Sequence, residues 1–356
     1  MRYPISGRSP AAATATLTTV AGPLSVRAVR GPVLPHEHLV LDLDRTGDGA
    51  AVLDSGRHRS AVVAELASLR ASFGLGLVVE VTCRGMGRDP RALARIAAES
   101  GVALVAATGW YHQAFHPPET EEASVARLTE ILVREIEDGI GGSGVRPGVL
   151  GEIGSGGERP SAREGRTLVA SARAACATGL SLVTHAHLGR GGFAQLELLT
   201  GAGLPPHRIS IGHQDLLDDP GTHRALAASG AYVAFDTVGK ERYQGDDTRL
   251  RLLLALLEAG YADRALLSCD ISRHSYLRAE GGRGYGHLFR SFLPKARAAG
   301  VDDGLIDLLT RRNPLRFLTG AETDTEIDTD TGTGIPDRAG PGTGSVRPLG
   351  GLAKET

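Results

Sequence analysis

The chain has 356 residues, of which 41% are hydrophobic and 22% are charged, a composition typical of a globular protein with a substantial core. Its formal net charge of -2 at pH 7 gives no electrostatic reason to expect a nucleic-acid partner or a membrane surface. Residues 1–30 lack the pattern of a secretory signal, no apolar run has membrane-spanning length, and the three cysteines are far apart, so we expect a cytoplasmic protein that acts on a small molecule.

The two ends of the chain differ in composition from the middle. Residues 1–12 are poor in large apolar side chains, and so is the segment 321–356, which is rich in Thr, Asp, Gly and Pro. Such segments bury too little apolar surface to offset the entropy lost on ordering. We therefore predict a flexible N-terminus at 1–12, one folded domain at 13–320 and a disordered tail at 321–356.

The folded part is predicted to begin with a β-hairpin over residues 13–29, with its turn at 21–23. Aliphatic or β-branched runs bounded by Gly, Asp or Pro then predict eight strands, at 32–38, 75–81, 102–108, 148–153, 180–185, 208–212, 231–235 and 265–268. Amphipathic stretches predict eight helices, at 58–72, 90–100, 121–138, 162–178, 193–200, 222–229, 247–259 and 302–311.

Regular alternation of strands and helices predicts an α/β fold of the (β/α)8, or TIM, barrel type. A doubly wound parallel sheet is the alternative. That fold would place a glycine-rich phosphate-binding turn after the first strand, and the sequence has no such turn after residue 38. The barrel is therefore preferred.

Histidines and carboxylates stand where the predicted strands end, which in a barrel enzyme is the face that carries the reactive side chains. His36 and His38 end the first strand in H-E-H, and residues two apart on a strand point to the same face. An isolated pair of this kind is more often two turn histidines. Glu152 ends the fourth strand with no lysine or arginine beside it, and a buried unpaired carboxylate is unfavourable unless a cation accompanies it.

Three further residues of the same kind end the fifth, sixth and eighth strands: His185, His213 and Asp270. His187 is an alternative to His185, which we prefer because it ends the apolar run. His213 could instead be a structural histidine bonded to a backbone carbonyl. Four imidazoles and two carboxylates from five strand ends nevertheless predict a site for two divalent ions at one mouth of the barrel. Zinc, manganese and iron(II) all suit these donors.

Side chains that follow the other strands could contact a substrate. Tyr111 lies in an aromatic group after the third strand and could line the mouth or simply pack in a loop. Arg84, Lys240 and Arg273 follow the second, seventh and eighth strands. Each could bind an anionic group of a substrate or form a salt bridge with a loop acid. Three cations around one mouth favour a carboxylate-bearing ligand over a neutral triester.

Several motifs give residues 21–320 a resemblance to the phosphotriesterase family of the amidohydrolase superfamily, and in particular to its branch of phosphotriesterase homology proteins. The motifs that carry the resemblance include LPHEHL (34–39), GEIG (151–154), VTHAH (183–187), IGHQD (211–215) and LSCDISRHSYL (267–277). The resemblance implies two metal ions, usually zinc, at the C-terminal mouth of a barrel. It also implies a homodimer as a candidate assembly.

The resemblance assigns roles to the predicted ligands. It implies that His36, His38 and Asp270 hold the buried ion, and that His185 and His213 hold the more exposed one. Phosphotriesterases bridge the ions with a carboxylated lysine on the fourth strand. This chain has no lysine near that strand, so Glu152 is expected to take that place.

One departure concerns proton transfer. Phosphotriesterases have a histidine after the aspartate of the seventh strand, which relays a proton, whereas Asp236 is followed here by Thr237.

Together these expectations describe a dinuclear metal-dependent hydrolase. A hydroxide between the ions would attack a lactone, an ester or an N-acyl amide of a small metabolite, and Asp270 would carry the proton to the leaving group. Hydrolysis of organophosphate triesters and a non-enzymic metal-binding barrel are the alternatives.

Overall fold

Eight parallel strands form the central sheet in this computed structural model, which describes residues 15–321. Numbered along the chain as barrel strands one to eight, they are Val33–Glu37, Leu77–Glu80, Ala103–Thr108, Val149–Ser155, Leu182–Ala186, Ile209–Ile211, Tyr232–Phe235 and Ala265–Leu267. Each strand pairs in parallel with the next along the chain. Strand one also reaches the end of strand eight, where the His36 N–H donates to the Ser268 hydroxyl (3.2 Å). The predicted barrel is confirmed, and it is nearly closed.

Helices lie between the strands and pack on the outside of the sheet. Their bounds are Arg59–Phe73, Pro90–Ser100, Val125–Asp138, Ala162–Thr178, Gly192–Gly201, Pro220–Ala228, Asp246–Glu258, Leu293–Ala298, Asp303–Asp307 and Asn313–Thr319. Two π-helical stretches, Leu288–Phe292 and Leu308–Arg312, precede helices in the last part of the chain. The helix predicted to begin at residue 121 begins instead at Val125, because the Ser124 hydroxyl caps it by accepting from the Arg127 N–H (3.2 Å).

A β-hairpin precedes the barrel, with strands Thr16–Thr19 and Gly22–Ser25. Its turn therefore lies one residue earlier than predicted. The Val20 N–H donates to the Leu104 carbonyl near the start of strand three (2.9 Å). Leu17 of the hairpin and Phe317 of the last helix pack in one buried cluster with the residues that fill the barrel interior. The hairpin thus covers the N-terminal end of the barrel and leaves the C-terminal mouth open.

A short antiparallel ribbon, Leu41–Asp42 with Val52–Leu53, follows strand one. Within residues 15–321, no helix is long and apolar enough to cross a membrane. The flexible segment predicted at 1–12 lies outside the described residues, as does the disordered tail predicted at 321–356 apart from Ala321.

Candidate metal centre

Glu152 lies at the centre of the predicted ligand set and approaches all four imidazoles. Its Oε1 atom is 2.8 Å from Nδ1 of His185, 3.0 Å from Nε2 of His213 and 3.5 Å from Nε2 of His36. Its Oε2 atom is 3.6 Å from Nε2 of His38. Asp270 joins the group through Oδ1, which lies 3.3 Å from the same nitrogen of His38. All six side chains are buried, and the structure brings the whole predicted set together.

Irregular backbone turns two of these ligands into the barrel. In strand one, Val33 packs inside the barrel and Leu34 packs against the helices. Strict alternation would then point His36 outwards, but a register shift after Leu34 reverses the pattern. Strand four contains a register shift of the same kind around Glu152. Such bulges re-aim side chains near functional sites, and here both of them direct ligands to the interior.

Asp236, which was not predicted as part of the site, holds two of the imidazoles. Its Oδ1 atom accepts from the backbone N–H of His213 (2.9 Å) and lies 2.8 Å from Nδ1 of the same residue. Its Oδ2 atom lies 3.0 Å from Nδ1 of His36. When Nδ1 of an imidazole carries the proton that faces a carboxylate, Nε2 is left free to bind a metal ion. Asp236 therefore sets the orientation and the tautomer of His213, and its position 3.0 Å from Nδ1 of His36 favours a proton on that nitrogen.

His38 and His185 also have outer partners. Nδ1 of His38 lies 2.8 Å from the Thr82 hydroxyl, which in turn donates to Glu80. Nε2 of His185 lies 3.4 Å from the Tyr111 hydroxyl. Each of the four imidazoles thus has one nitrogen near Glu152 and the other near a polar group outside the cluster, an arrangement that fixes the rings.

Within the cluster, His38 and His213 and the carboxylates beside them hold each other in charged form, whereas burial lowers the pKa of His185. Burial alone lowers the pKa of His38, but hydrogen bonds to Asp270 and Glu152 outweigh burial and raise that pKa to about 9. Burial likewise lowers the pKa of His213, and Asp236 and Glu152 raise it to about 10. Burial would raise the pKa of Glu152, yet the surrounding imidazoles hold it well below its usual range. The cluster therefore attracts positive charge, and a metal ion would compete with protons for the same nitrogens.

The donor set fits a divalent metal ion. Both ring nitrogens of His36 are buried and neither forms a hydrogen bond of good geometry with the described residues, so a cation bound at Nε2 would satisfy that atom. Three buried triplets of ligand atoms each lie within 4.8 Å of one another, namely His36, His38 and Glu152; Glu152, His185 and His213; and His36, His213 and Asp236. Imidazole nitrogen and carboxylate oxygen suit zinc and also manganese and iron.

A cavity of about 280 Å³ opens onto this cluster, and three of the four predicted substrate contacts line it. These are Tyr111, Lys240 and Arg273. The Lys240 ammonium is engaged there, since it donates to Oδ2 of Asp270 and to the Ser272 hydroxyl (3.0 Å). The volume is at the lower end of the range for small-molecule sites, so the cavity suits a compact ligand.

Arg84 is the predicted substrate contact that the structure does not bring to the cavity. Its guanidinium donates to Glu119 (2.7 Å) and to Glu135, and it lies over the ring of Trp110. Glu135 also binds Arg88 (2.6 Å). The expected role is therefore corrected: Arg84 belongs to an ion-pair network beside the barrel mouth, because two carboxylates already satisfy its donors.

Sequence reasoning missed the outer partners Asp236 and Glu80. Both stand at or just after the end of an apolar strand, which is the same signal that identified Asp270. A rule that treats every strand-ending carboxylate as part of the site would have included both residues.

Comparisons with known proteins agree with this geometry. The model of the phosphotriesterase family matches residues 15–318. The phosphotriesterase homology protein of Escherichia coli is 35% identical over 287 residues, which cover 81% of this chain and 97% of that protein. Its crystal structure, with phosphate in the active site, aligns with a TM-score of 0.79 over 82% of this chain and 99% of that one.

Two further relatives carry names of different activities. The N-acetyltaurine hydrolase of Bos taurus is 32% identical over 279 residues, which cover 75% of this chain and 79% of that protein. The crystal structure of the lactonase Lmo2620 from Listeria monocytogenes aligns with a TM-score of 0.79 at 26% identity, over 85% of this chain and 99% of that one. The relatives are thus hydrolases with different substrates.

Proposed function

The chain belongs to the phosphotriesterase family, and we propose that it is a metal-dependent hydrolase of small, negatively charged molecules. The bond cleaved is the acyl–oxygen bond of a lactone or an ester, or the acyl–nitrogen bond of an N-acyl amide. One observation carries the proposal: the cavity that opens onto the Glu152 cluster is also lined by Lys240 and Arg273. The cluster suits metal ions, and the two cations suit an anionic group on the substrate.

The cluster holds two ions better than one. Two of the three ligand triplets share only Glu152, whose Oε1 atom approaches His185, His213 and His36 and whose Oε2 atom approaches His38. A carboxylate that two ligand triplets share is suited to bridge two cations. We propose zinc as the metal, because the family resemblance favours it, with manganese and iron(II) as alternatives.

Bound divalent ions would lower the pKa of water towards about 7 and polarise the oxygen of the bond under attack. Asp270 is placed to handle the proton. Its Oδ1 atom faces the ligand cluster at His38 (3.3 Å), and its Oδ2 atom faces Lys240 at the cavity wall. Asp270 would therefore be the group that accepts the proton of the attacking water and passes it to the leaving group.

Substrate charge is the feature that separates this proposal from triester hydrolysis. The relatives named N-acetyltaurine hydrolase act, by that name, on an N-acyl amine that carries a sulfonate. Lys240 and Arg273 offer cations to such a group in this chain. A neutral phosphotriester would give Arg273 no anionic partner from the substrate, whereas Lys240 keeps its ion pair with Asp270 in either case.

The test is a kinetic comparison of matched substrates with purified protein of measured metal content. N-acetyltaurine and N-acetylated amino acids are compared with the neutral amide N-propylacetamide, a lactone and a paraoxon-type triester, with zinc and with manganese. We expect anionic amides or esters to exceed neutral analogues at least tenfold in kcat/KM, because a hydrogen bond to a charged group contributes about 1.5–3 kcal/mol. A chelator should abolish turnover.

Variants of the two predicted arginines sharpen the comparison. Arg273→Met should raise KM for the anionic substrates and leave that of a neutral substrate unchanged. Arg84→Met, with its side chain paired away from the cavity, should leave both KM values unchanged. A higher kcat/KM for the triester than for the amides and esters would favour phosphotriesterase activity. If metal-loaded protein turned over none of the substrates, a non-enzymic metal-binding barrel would be favoured.

A further inference from the structure

Glu37, the residue between the two histidines of strand one, carries a buried carboxylate that points away from the Glu152 cluster. One of its oxygens, Oε1, accepts from the Cys269 N–H (2.7 Å) and from the Ser268 hydroxyl (2.8 Å). The other, Oε2, accepts from the Ile271 N–H (2.8 Å). The side chain is fully buried. All of its partners thus belong to the segment that follows strand eight.

That segment contains Asp270, and the two backbone N–H groups held by Glu37 are those on either side of it. Asp270 has φ of 48°, in the left-handed region that residues other than glycine seldom adopt. A residue in this region persists only where its surroundings hold it there, and such residues cluster at active sites. Within the described residues, strands one and eight are not hydrogen-bonded neighbours in the sheet. The Glu37 carboxylate therefore supplies hydrogen-bond acceptors where strand one lies beside strand eight, a place we call the seam.

The same seam connects the ligands of strand one with the ligand after strand eight. The His36 N–H donates to the Ser268 hydroxyl (3.2 Å), which donates to Glu37. Because the side chains of His36 and His38 face the cluster, Glu37 between them is directed to the opposite side of the strand. One three-residue motif thus provides two ligands and the group that holds a third.

We infer that Glu37 is a positioning residue for Asp270. By holding the backbone on both sides of Asp270, Glu37 sets the direction of the Asp270 carboxylate relative to His36 and His38. The inference rests on the proposed function in that Asp270 is taken as ligand and proton carrier. A carboxylate is needed because both oxygens must accept from N–H groups. An amide in the same place would present an NH2 group to one N–H and lose that contact.

The test uses Glu37→Gln, with Glu65→Gln as a matched control. Glu65 is also a buried glutamate that accepts from two backbone N–H groups, of Arg278 (2.6 Å) and Tyr285 (3.1 Å), but none of its hydrogen bonds reaches the cluster. Both variants exchange a carboxylate for an amide at a pair of backbone donors. Both should lower Tm, and only Glu37→Gln should change the site.

Three measurements separate positioning from stability. We expect Glu37→Gln to lower kcat for the best substrate by about 10- to 100-fold with KM within about twofold, and to weaken zinc binding by about tenfold in a chelator competition. Amide hydrogen exchange in the peptide 268–272 should become faster. Glu65→Gln should show native kcat, zinc affinity and exchange in that peptide. A Glu37→Gln protein with native kcat and zinc affinity but reduced Tm would overturn the inference.

Ser268→Ala provides a second test of the role of Glu37 if the Glu37→Gln protein does not fold. It removes one donor to Glu37 and the acceptor of the His36 N–H, and it leaves both backbone contacts of Glu37. A fall in kcat of about threefold or more together with faster hydrogen exchange in the peptide 268–272 supports the inference, and unchanged exchange in that peptide overturns it. Failure of the proposed function is seen separately, as native protein without bound metal or turnover. Hydrogen exchange in 268–272 then still tests whether Glu37 holds this segment.

Discussion

Replacing Asp236 with asparagine should weaken metal binding by about 10- to 100-fold, the usual effect of removing an outer partner of a ligand. The structure explains why an amide cannot substitute. Oδ1 of Asp236 meets two donors of His213, and Oδ2 meets Nδ1 of His36. The amide oxygen must stay with the two donors of His213, so the NH2 group faces His36.

The consequence for His36 follows from its tautomer. Facing an NH2 group, Nδ1 must act as acceptor, and the ring proton moves to Nε2. That nitrogen is the one directed at Glu152 (3.5 Å), so a protonated Nε2 removes one of four imidazoles from the ligand set. A loss of 10- to 100-fold corresponds to about 1.4–2.7 kcal/mol of binding free energy.

The assay is zinc affinity by competition with a chromogenic chelator, together with metal content after dialysis. Asp246→Asn is the matched control, because Asp246 is also buried, lies 2.7 Å from Nε2 of His287 and accepts from the Gly239 N–H (2.9 Å). We expect that control to lose stability and keep its zinc affinity. Native zinc affinity in Asp236→Asn, or an equal loss in both variants, would refute the reasoning.

Two further predictions concern protonation and packing. Because the pKa values of His38 and His213 are raised to about 9 and about 10, zinc must displace protons at pH 7. Binding should therefore release protons and tighten as the pH rises to 9, and calorimetric enthalpies that do not depend on the buffer would contradict this. Gly212→Ala places a Cβ atom 2.1 Å from the Thr184 carbonyl oxygen. It should destabilise the fold by about 1–3 kcal/mol in chemical unfolding, and an unchanged unfolding midpoint would contradict the close approach.

The order of elements was predictable because barrel strands are short apolar runs and the helices between them are amphipathic. The six residues of the cluster could be selected from the sequence because each is a histidine or carboxylate at the end of an apolar strand. His185 lies buried beside Glu152, whereas His187, the alternative to it, is exposed. Arg84 was misplaced because its partners Glu119 and Glu135 lie 35 and 51 residues away in the chain, and no local pattern reports such pairing.

What the sequence determined by itself is the barrel and the identity of six polar residues at its mouth, since both follow from local periodicity and from residue type. Only the tertiary structure decided which way these side chains face. Regular alternation along strand one would point His36 outwards, and a register shift turns it inwards. Glu37 gains its role in the same way, from a seam between the first and last strands. Such effects depend on neighbouring strands distant in the chain, so they arise only when the barrel closes.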